Sequence, residues 1–323
     1  MIIPILQFIQ AKGAGNATLR RLLSFAVQNG EESVRNLFAS PKILTEELNI
    51  KGDIAQNIIN ASADAHKLCD KILKENINIT WQGSKSYPSR LLNALGNDAP
   101  PFLFFKGHTD LFYTKGIGFC GSRKASEKGL KITARCAEQL ANRNICVVSG
   151  YAHGVDMAAH KAALTNGGKT IFVLVEGILR FYRKREIQDL FTQDNFLAVS
   201  QFPPNLTWSA RNAMKRNGTI IGLSNAMILV ESGLTGGTFA AGQETLRRKK
   251  PLFVIDYAAP GPSAEANPYF IQHGGIPIRG NADGKPNLTN VFKIIDNRTN
   301  SNNIEVELHN TKQLIVTKQG NLL

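Results

Sequence analysis

From about residue 115 onward, short apolar runs alternate with segments of helical length and period, and this alternation constrains the fold more than any other feature. Two of the helical segments are residues 128–143 and 154–167. The apolar runs expected to be strands are Ile117–Cys120, Ile145–Ser149, Thr170–Val175, Phe196–Ser200, Ala226–Glu231 and Pro251–Ile255. Strands and helices in alternation pack as a sheet with helices on both faces. The sequence therefore predicts an α/β fold with a doubly wound, mostly parallel sheet.

Three other regions flank this core. Residues 1–80 show the period of short helices and predict a small helical domain that resembles SAM or helix-hairpin-helix domains. Its glycine turn at 12–15 either contacts a nucleic-acid backbone or is a plain helix–helix connection, and the residues leave both readings open. Residues 81–115 lead into the core, which covers 116–280. Residues 281–323 are expected to form a linker and a short C-terminal hairpin, with no full winged helix.

The balance of charge favours a polyanionic partner. The chain carries 38 Lys/Arg against 25 Asp/Glu, a formal net charge of +13. Residues 116–280 hold 20 of these basic and 11 of these acidic residues, so +9 of the excess lies in the core domain. A basic footprint confined to one folded domain favours nucleic acid first and an anionic membrane second.

Several classes of protein are disfavoured by what the sequence contains. The four cysteines and six histidines show no spacing typical of a metal site, and we expect no cofactor. The chain start lacks a basic segment and a cleavage site, and no apolar run approaches the roughly 18 residues of a membrane span. The expected setting is therefore the cytoplasm, without a membrane partner.

One stretch spells a dinucleotide-binding fingerprint in the wrong register. The letters Gly116-x-Gly118-x-x-Gly121 are present, but the first two glycines precede or lie inside the strand Ile117–Cys120. If that run is the strand, the turn after it is Gly121-Ser122-Arg123, and a helix begins near Ser126, a good N-cap. Backbone amides, a hydroxyl and a guanidinium then meet at one helix N-terminus. Such a turn suits a phosphate.

The same strand–glycine turn–helix construction recurs after later strands. Residues 149–156 contain Gly150, His153 and Gly154, and residues 231–238 bring Gly236, Gly237 and Thr238. Loops that follow parallel strands gather at the carboxyl edge of the sheet, where ligands bind. Residues 212–219 add Lys215, Arg216 and Asn217. These segments predict one basic crevice rich in backbone amides.

A catalytic triad and a set of base-stacking residues are weaker hypotheses. Ser149 or Ser126 with His153 or His160 and Asp156 makes a triad on paper, but no nucleophile elbow is present. His160, four residues after Asp156, is expected to pack or hydrogen-bond within its helix. A single-strand site also needs aromatic platforms. The candidates for stacking are Phe181, Tyr182, Phe202 and Trp208, each with core or surface packing as the competing reading.

A family resemblance covers roughly residues 1–280. Upstream of the core, residues 87–107 resemble the lead-in to the core of the same family. The motifs that carry the resemblance through the core are, in order, GFCGSRKAS, VVSGYAHGVDMAAHKAAL, GGKTIFVLVEGI, VSQFPP, RNGTIIGLSNAMILVE and GGTFAAGQETL. These motifs resemble the DNA-processing protein A (DprA/Smf) family.

The resemblance implies a Rossmann-like core that binds single-stranded DNA without catalysis. It implies that such a protein protects incoming strands and, during natural transformation, helps place the recombinase RecA on them. It also implies a homodimer through the core. The residues expected to contact the strand are Gly121, Ser122, Arg123, Ser126, Gly150, His153, Gly154, Lys215, Arg216, Asn217, Gly236, Gly237 and Thr238.

The sequence departs from the family pattern in four places. Tyr182-Arg183 stands where the family has Tyr-Pro, Ser200-Gln201 where it has Ser-Glu, and Ala213-Met214 where it has Phe-Pro. A second Arg-Asn pair occurs at Arg211-Asn212. These changes bear on partner contacts more than on strand binding, because the basic residues of the crevice remain.

Two other function classes stay open. Lysine-decarboxylase-like proteins that cleave nucleotide N-glycosidic bonds also use a Gly-Gly-Thr turn, with a carboxylate three residues after the threonine. Here Ala241 stands at that spacing from Thr238, although Glu231 and Glu244 leave the chemistry open. A Rossmann-like sensor that binds a mononucleotide without turnover is the third class.

Overall fold

A computed structural model of the chain describes residues 1–280 and 285–296. Twelve helices within these residues carry labels here, in chain order: α1 Ile2–Gln10, α2 Asn16–Asn29, α3 Val34–Leu37, α4 Pro41–Leu48, α5 Gly52–Asn60, α6 Ser62–Lys74, α7 Ser89–Leu95, α8 Glu127–Ala141, α9 Val155–Thr165, α10 Ala210–Leu223, α11 Gly237–Arg247 and α12 Asn267–Gln272. None of the described helices is long and apolar enough to span a bilayer.

A single nine-stranded sheet forms the centre of the described chain. Its strands are β1 Asn78–Trp81, β2 Phe102–Gly107, β3 Gly116–Cys120, β4 Cys146–Ser149, β5 Thr170–Val173, β6 Phe196–Ser200, β7 Ala226–Leu229, β8 Leu252–Ile255 and β9 Ile276–Ile278. The spatial order is β1-β2-β6-β5-β4-β3-β7-β8-β9. The strands from β6 to β9 in that order are parallel, and β1 and β2 pair antiparallel at one end. The predicted α/β class and mostly parallel sheet are confirmed.

Successive residues of the central strands face opposite sides of the sheet, and both sides are covered. Val147 of β4 packs in the layer that contains α8 and α9, while its neighbour Val148 packs in the layer that contains α7 and α10. Buried on both faces, such strands read as continuous apolar runs rather than as alternating ones. This explains why the six predicted runs coincide with six of the observed strands.

The flanking segments contribute more to the sheet than their sequence indicated. Residues 81–115, expected as a lead-in, include β2, which pairs with β6 from Phe104↔Ser200 to Gly107↔Leu197. The helices of the first 74 residues share a hydrophobic core with Phe102 and Phe172 of the sheet. Residues 289–296, inside the predicted linker, are helical. Residues 281–284 of the linker and all residues after 296, including the predicted hairpin, lie outside the described residues.

The strand order reverses between β3 and β7. From β3 the chain winds outward through β4, β5 and β6, and then returns to the other side of β3 with β7, β8 and β9. At such a switch point the loops after the two central strands separate and leave a crevice at the carboxyl edge. The turns after β3, β4 and β7 are the three glycine turns that the sequence singled out.

Candidate nucleic-acid interface

The turn after β3 is closed by a carboxylate of the same chain. Ser126 is the N-cap of α8, and its Oγ accepts a hydrogen bond from the Gly129 amide at 3.0 Å. The Ser126 amide and hydroxyl both donate to the carboxylate of Glu231, at 2.8 and 2.5 Å. Glu231 is 1% exposed, and Tyr257 also donates to it from 3.3 Å. Glu231 therefore occupies the position at the α8 N-terminus where the sequence placed a phosphate.

The turn after β4 is closed in a similar way by Asp156, in the first turn of α9. The single Ser149 hydroxyl hydrogen is shared between Asp156 Oδ1, 2.8 Å from Oγ, and the Phe119 carbonyl oxygen at 2.9 Å, and all three residues are buried. Burial raises the pKa of Asp156 above its ordinary value, and the nearby Arg216 guanidinium opposes that shift. Its position in the first turn of α9 also lets the carboxylate offset the positive end of that helix's dipole.

Two glycines make this packing sterically feasible. Gly154 has φ +78°, and a Cβ there would lie 2.4 Å from the Ser122 carbonyl oxygen, so the turn after β3 could not approach α9. A Cβ at Gly150 would lie 2.0 Å from Arg216 Nη1 and 2.4 Å from Asp156 Oδ2. Both predicted positions therefore shape the site through the absence of a side chain.

Arg216 is the most unusual group in the region. It is 7% exposed, and its Nη1 lies 3.9 Å from Asp156 Oδ2, which is an ion pair but longer than a hydrogen bond. Its Nε is buried without a hydrogen-bond partner in the described structure. Burial lowers its pKa, yet arginine stays charged in proteins. A buried cation with an unsatisfied donor costs free energy unless a ligand satisfies it.

The turn after β7 leads into a helix N-terminus that stays open. Gly236 is the N-cap of α11 with φ +92°, no side chain caps the helix, and its first turn holds no acidic residue. Gly236 and Gly237 are exposed. Asn217 donates to the Gly237 carbonyl at 3.2 Å and so ties α10 to this turn. Free amides and the helix dipole make this end attractive to an anion.

These groups line one cavity of about 560 Å³, which we call the crevice. Its lining includes five of the predicted positions from two turns, namely Gly121, Ser122, Arg123, Gly237 and Thr238. It also includes the predicted positions Arg216 and Asn217 of α10. The structure thus brings the turns after β3 and β7 together around a buried guanidinium.

A smaller cavity of about 260 Å³, the side pocket, adjoins the crevice and shares Arg123, Arg216 and Trp208 with it. His153 lines the side pocket rather than the crevice. Lys184 lines it too, with its Nζ 2.7 Å from the Tyr151 carbonyl oxygen, and burial lowers the pKa of this amine.

Lys184 was not among the predicted contacts. In the sequence, residues 180–186 place four basic residues beside the stacking candidates Phe181 and Tyr182. The structure gives this segment one short 3₁₀ turn, Ile178–Arg180, and then an irregular path. Four basic residues in seven were the available signal, and only the fold shows which one faces the pocket.

The four aromatic candidates divide into two groups. Phe202 is 6% exposed, and Phe181 packs against Phe172 and other rings of the core. Tyr182 is 66% and Trp208 48% exposed, and the Arg123 guanidinium lies 5.7 Å from the centre of the Trp208 ring. Trp208, at the junction of crevice and side pocket, is therefore the best placed stacking surface.

Lys215 lies elsewhere. Adjacent residues of a helix do not face the same direction, so Arg216 reaches the crevice while Lys215 lines a separate cavity on the other side of α10. We call this cavity of about 530 Å³ the second cleft. The sequence grouped Lys215 with Arg216 by proximity in the chain, and the helical period separates them.

The residues of the hypothetical catalytic triad do not form a triad in the structure. Ser149 bonds Asp156 and Phe119 rather than a histidine. His160 is fully buried, with its Nε2–H donating to the Gly150 carbonyl at 2.6 Å. Burial lowers its pKa to about 3, so the ring is neutral. His160 is thus the packing and hydrogen-bonding residue that the sequence predicts.

Neither glutamate of the glycosidase hypothesis is a free acid in the crevice. Glu231 is bonded to Ser126, as described above. Glu244 lines the second cleft, and hydrogen bonds from Arg247 and Arg248 hold its pKa below the ordinary value. No cluster of His, Cys, Asp and Glu in the described part of the chain could hold a metal ion.

The fold and the crevice define a Rossmann-like α/β protein with a cationic crevice at the topological switch point. Its family follows from sequence comparison. The family described as DNA recombination-mediator protein A matches residues 78–283, well over half of the chain. The chain belongs to that family.

Named relatives agree with this assignment. The DNA processing protein DprA of Streptococcus pneumoniae is 32% identical over 188 residues, which cover 58% of this chain and 66% of that protein. The protein Smf of Escherichia coli is 32% identical over 196 residues, covering 60% and 52%. The matched region thus spans between about half and two thirds of each relative's length.

Solved structures give the same fold. The X-ray structure of DprA from Streptococcus pneumoniae superposes with a TM-score of 0.71 at 24% identity, covering 86% of this chain and 95% of that one. DprA from Helicobacter pylori, solved for its single-stranded DNA binding mode, superposes with a TM-score of 0.55 at 22% identity, covering 70% and 96%.

Proposed function

We propose that the crevice binds the sugar–phosphate backbone of single-stranded DNA. The observation that carries the proposal is the buried Arg216 guanidinium, whose Nε has no hydrogen-bond partner among the described residues, in the same crevice as the open N-terminus of α11. A backbone phosphate placed between them would accept from Nε and from the amides of the α11 N-terminus. Such charge-assisted bonds are stronger than neutral ones.

Neighbouring groups favour a flexible single strand over duplex DNA. Arg123 and Trp208 stand together where the crevice meets the side pocket, so a phosphate and an unstacked base can be held side by side. Stacking on an aromatic ring with a basic groove along the backbone is the general mode for single strands. The single-stranded DNA binding described for the Helicobacter pylori relative supports the same reading.

The cellular role follows the family. We propose that the protein is a cytoplasmic, non-catalytic binder that protects incoming strands and helps place the recombinase RecA on them during natural transformation. We also propose that it works as a homodimer. The separation into a helical domain over 1–80 and a core over 116–280 is part of the same proposal.

Fluorescence polarisation with labelled oligo-dT over a salt series tests the binding proposal. Arg123→Ala should weaken binding several-fold and lower the slope of log K against log salt by about one, because one phosphate contact is lost. Lys131→Ala, which removes an exposed charge from α8, is the matched control and should leave both quantities unchanged.

Arg216 needs a compensated variant, because its removal alone leaves Asp156 buried without a counter-charge. The double variant Arg216→Gln with Asp156→Asn removes both charges and should fold, yet lose affinity several-fold or more. Competition by duplex DNA and by AMP separates the function classes. Equal competition by AMP would support a mononucleotide sensor, and unchanged binding by both variants would contradict the crevice proposal.

A further inference from the structure

The second cleft joins the crevice across α10. Asn217 and Met214 line both cavities, so the two are neighbours separated by the width of one helix. The far wall of the second cleft belongs to the N-terminal helical region, through Asn16 and Arg20 of α2. This cavity therefore connects the core to the first 80 residues.

The charge of the second cleft is positive after its ion pairs are subtracted. Arg248 pairs with Asp98 and Glu244, and Arg247 pairs with Glu244, so these four residues largely neutralise one another. Lys215 is exposed and forms no ion pair among the described residues. The second cleft is thus lined by an exposed ammonium that is not paired with a carboxylate of the described residues.

Arg20 supplies a second uncompensated charge, and it is held in place. Its guanidinium donates to Gln82 Oε1 at 2.8 Å and to the carbonyl oxygens of Ala99 at 2.6 Å and Asn97 at 2.9 Å. All three acceptors are neutral, so the bonds fix the position of the cation without cancelling its charge. Rigid placement lowers the entropy cost of binding an anion.

The width of α10 is small enough for a continuous strand to cross it. A helix with its side chains is about 10 Å wide, which corresponds to roughly three stacked nucleotides at 3.4 Å each. Asn217 lines both cavities. Its side-chain Nδ2 donates to the Gly237 carbonyl, and its Oδ1, which accepts no hydrogen bond among the described residues, can accept from a base. A strand that fills the crevice can therefore pass over α10 within a few nucleotides.

We propose that a single strand held in the crevice continues over α10 into the second cleft, where Lys215 and Arg20 contact its backbone. The N-terminal helical region is then part of the binding surface, and Lys215 is a strand contact in a different cavity from Arg216. This inference rests on the proposed binding of single-stranded DNA to the crevice. An acidic protein segment on the same charges is the alternative occupant that the experiment distinguishes.

Oligonucleotide length separates the two cavities. Labelled oligo-dT of about 4 nucleotides fills the crevice alone, while about 15 nucleotides suffice to reach the second cleft. Lys215→Ala should weaken binding of the long oligonucleotide about three- to tenfold and lower its salt slope by about one. It should leave the short oligonucleotide unaffected. Lys42→Ala, an exposed lysine of α4, is the control for removal of a charge from the N-terminal region.

A second readout locates the strand. An oligo-dT with 5-bromouracil at its distal end should photo-crosslink to the peptide containing Asn16 and Arg20, and Lys215→Ala should reduce that crosslink. The inference would be overturned if Lys215→Ala left the affinity for the long oligonucleotide unchanged and the crosslink formed with the core alone. The crevice proposal would then remain intact, and an acidic protein segment would be the favoured occupant of the second cleft. Several-fold weaker binding at both lengths in Arg123→Ala, with weaker binding of the long oligonucleotide alone in Lys215→Ala, supports the inference. Failure of the unaltered protein to bind either oligonucleotide would overturn both proposals.

Discussion

Two kinds of helix N-terminus meet at the carboxyl edge of the sheet, and they differ in what satisfies them. The ends of α8 and α9 are neutralised by Glu231 and Asp156, both buried carboxylates of the same chain. The end of α11 has an exposed glycine cap and no acidic residue in its first turn. All three follow a strand and a glycine turn, so the shared motif does not by itself make an anion site. The proposed anion site is the one where, among the described residues, a helix terminus stays open in the same crevice as the unpartnered Nε of Arg216.

The largest expected effect is on the free energy of unfolding when Asp156, at the N-terminus of α9, loses its charge. Asp156→Asn removes the only carboxylate that the described residues pair with the buried Arg216 cation, so the free energy of unfolding should fall by about 3 kcal/mol. Urea denaturation measures this change. Asp64→Asn, at an exposed surface pair, should change it little. Affinity for oligo-dT should not fall in Asp156→Asn, because the strand becomes the main anionic partner of Arg216. A stable variant with weakened binding would contradict the comparison.

A carboxylate in the first turn of α11 should make the N-terminus of this helix similar to those of α8 and α9. Thr238→Glu places a carboxylate in the first turn of α11, where it is stabilised by the helix dipole and repels a phosphate. Oligo-dT affinity should fall ten- to thirtyfold, about 2 kcal/mol, while the free energy of unfolding is maintained. Polarisation titrations and urea denaturation measure the two quantities.

The control for this variant adds the same charge to the same helix. Gln243→Glu lies on an exposed position farther along α11 and should reduce affinity much less. Equal losses in both variants would mean that net charge, rather than the helix terminus, governs binding.

Opening a closed terminus should cost stability without creating a strong new site. Glu231→Gln keeps the shape of the side chain but loses the charge-assisted bonds from Ser126, so the free energy of unfolding should fall by about 1.5 kcal/mol. Tyr257→Phe, which removes the longer 3.3 Å bond to the same carboxylate, should have a smaller effect. A large gain in oligo-dT affinity in Glu231→Gln would show that the α8 end, too, can hold a phosphate.

The smallest expected effect is the fall in the free energy of unfolding that buried His160 causes as the pH is lowered. The pKa of His160 is about 3 in the folded protein and about 6.5 when unfolded, so the unfolded state takes up the proton first as pH falls. The free energy of unfolding should therefore drop by about 1.4 kcal/mol between pH 7.5 and 5.5. His160→Gln should flatten this part of the pH profile, whereas His66→Gln, an exposed histidine, should not. An identical profile for all three proteins would contradict the assignment.

Features set by neighbouring residues in the chain could be predicted from the sequence, whereas contacts between distant segments could not. The strands after residue 115 and the glycine turns that follow them are local patterns, and the structure places them close to the predicted bounds. The capture of Ser126 by Glu231 joins residues 105 positions apart, which no local pattern reveals. Lys215 was assigned to the crevice because it neighbours Arg216, and only the phase of α10 separates the two. The partner-free Nε of Arg216 is likewise a property of packing.

The central claim is that the unsatisfied donor of Arg216 binds a strand phosphate. NMR of protein labelled with ¹⁵N-arginine reports the Nε–H signal directly, and the Arg216→Gln, Asp156→Asn double variant identifies the signal by its loss. On titration with oligo-dT, the Arg216 Nε–H signal should shift and gain protection from exchange with water, and in Thr238→Glu this shift should require at least tenfold more oligonucleotide. A strand that binds by polarisation while the Arg216 Nε–H signal stays unchanged would contradict the account.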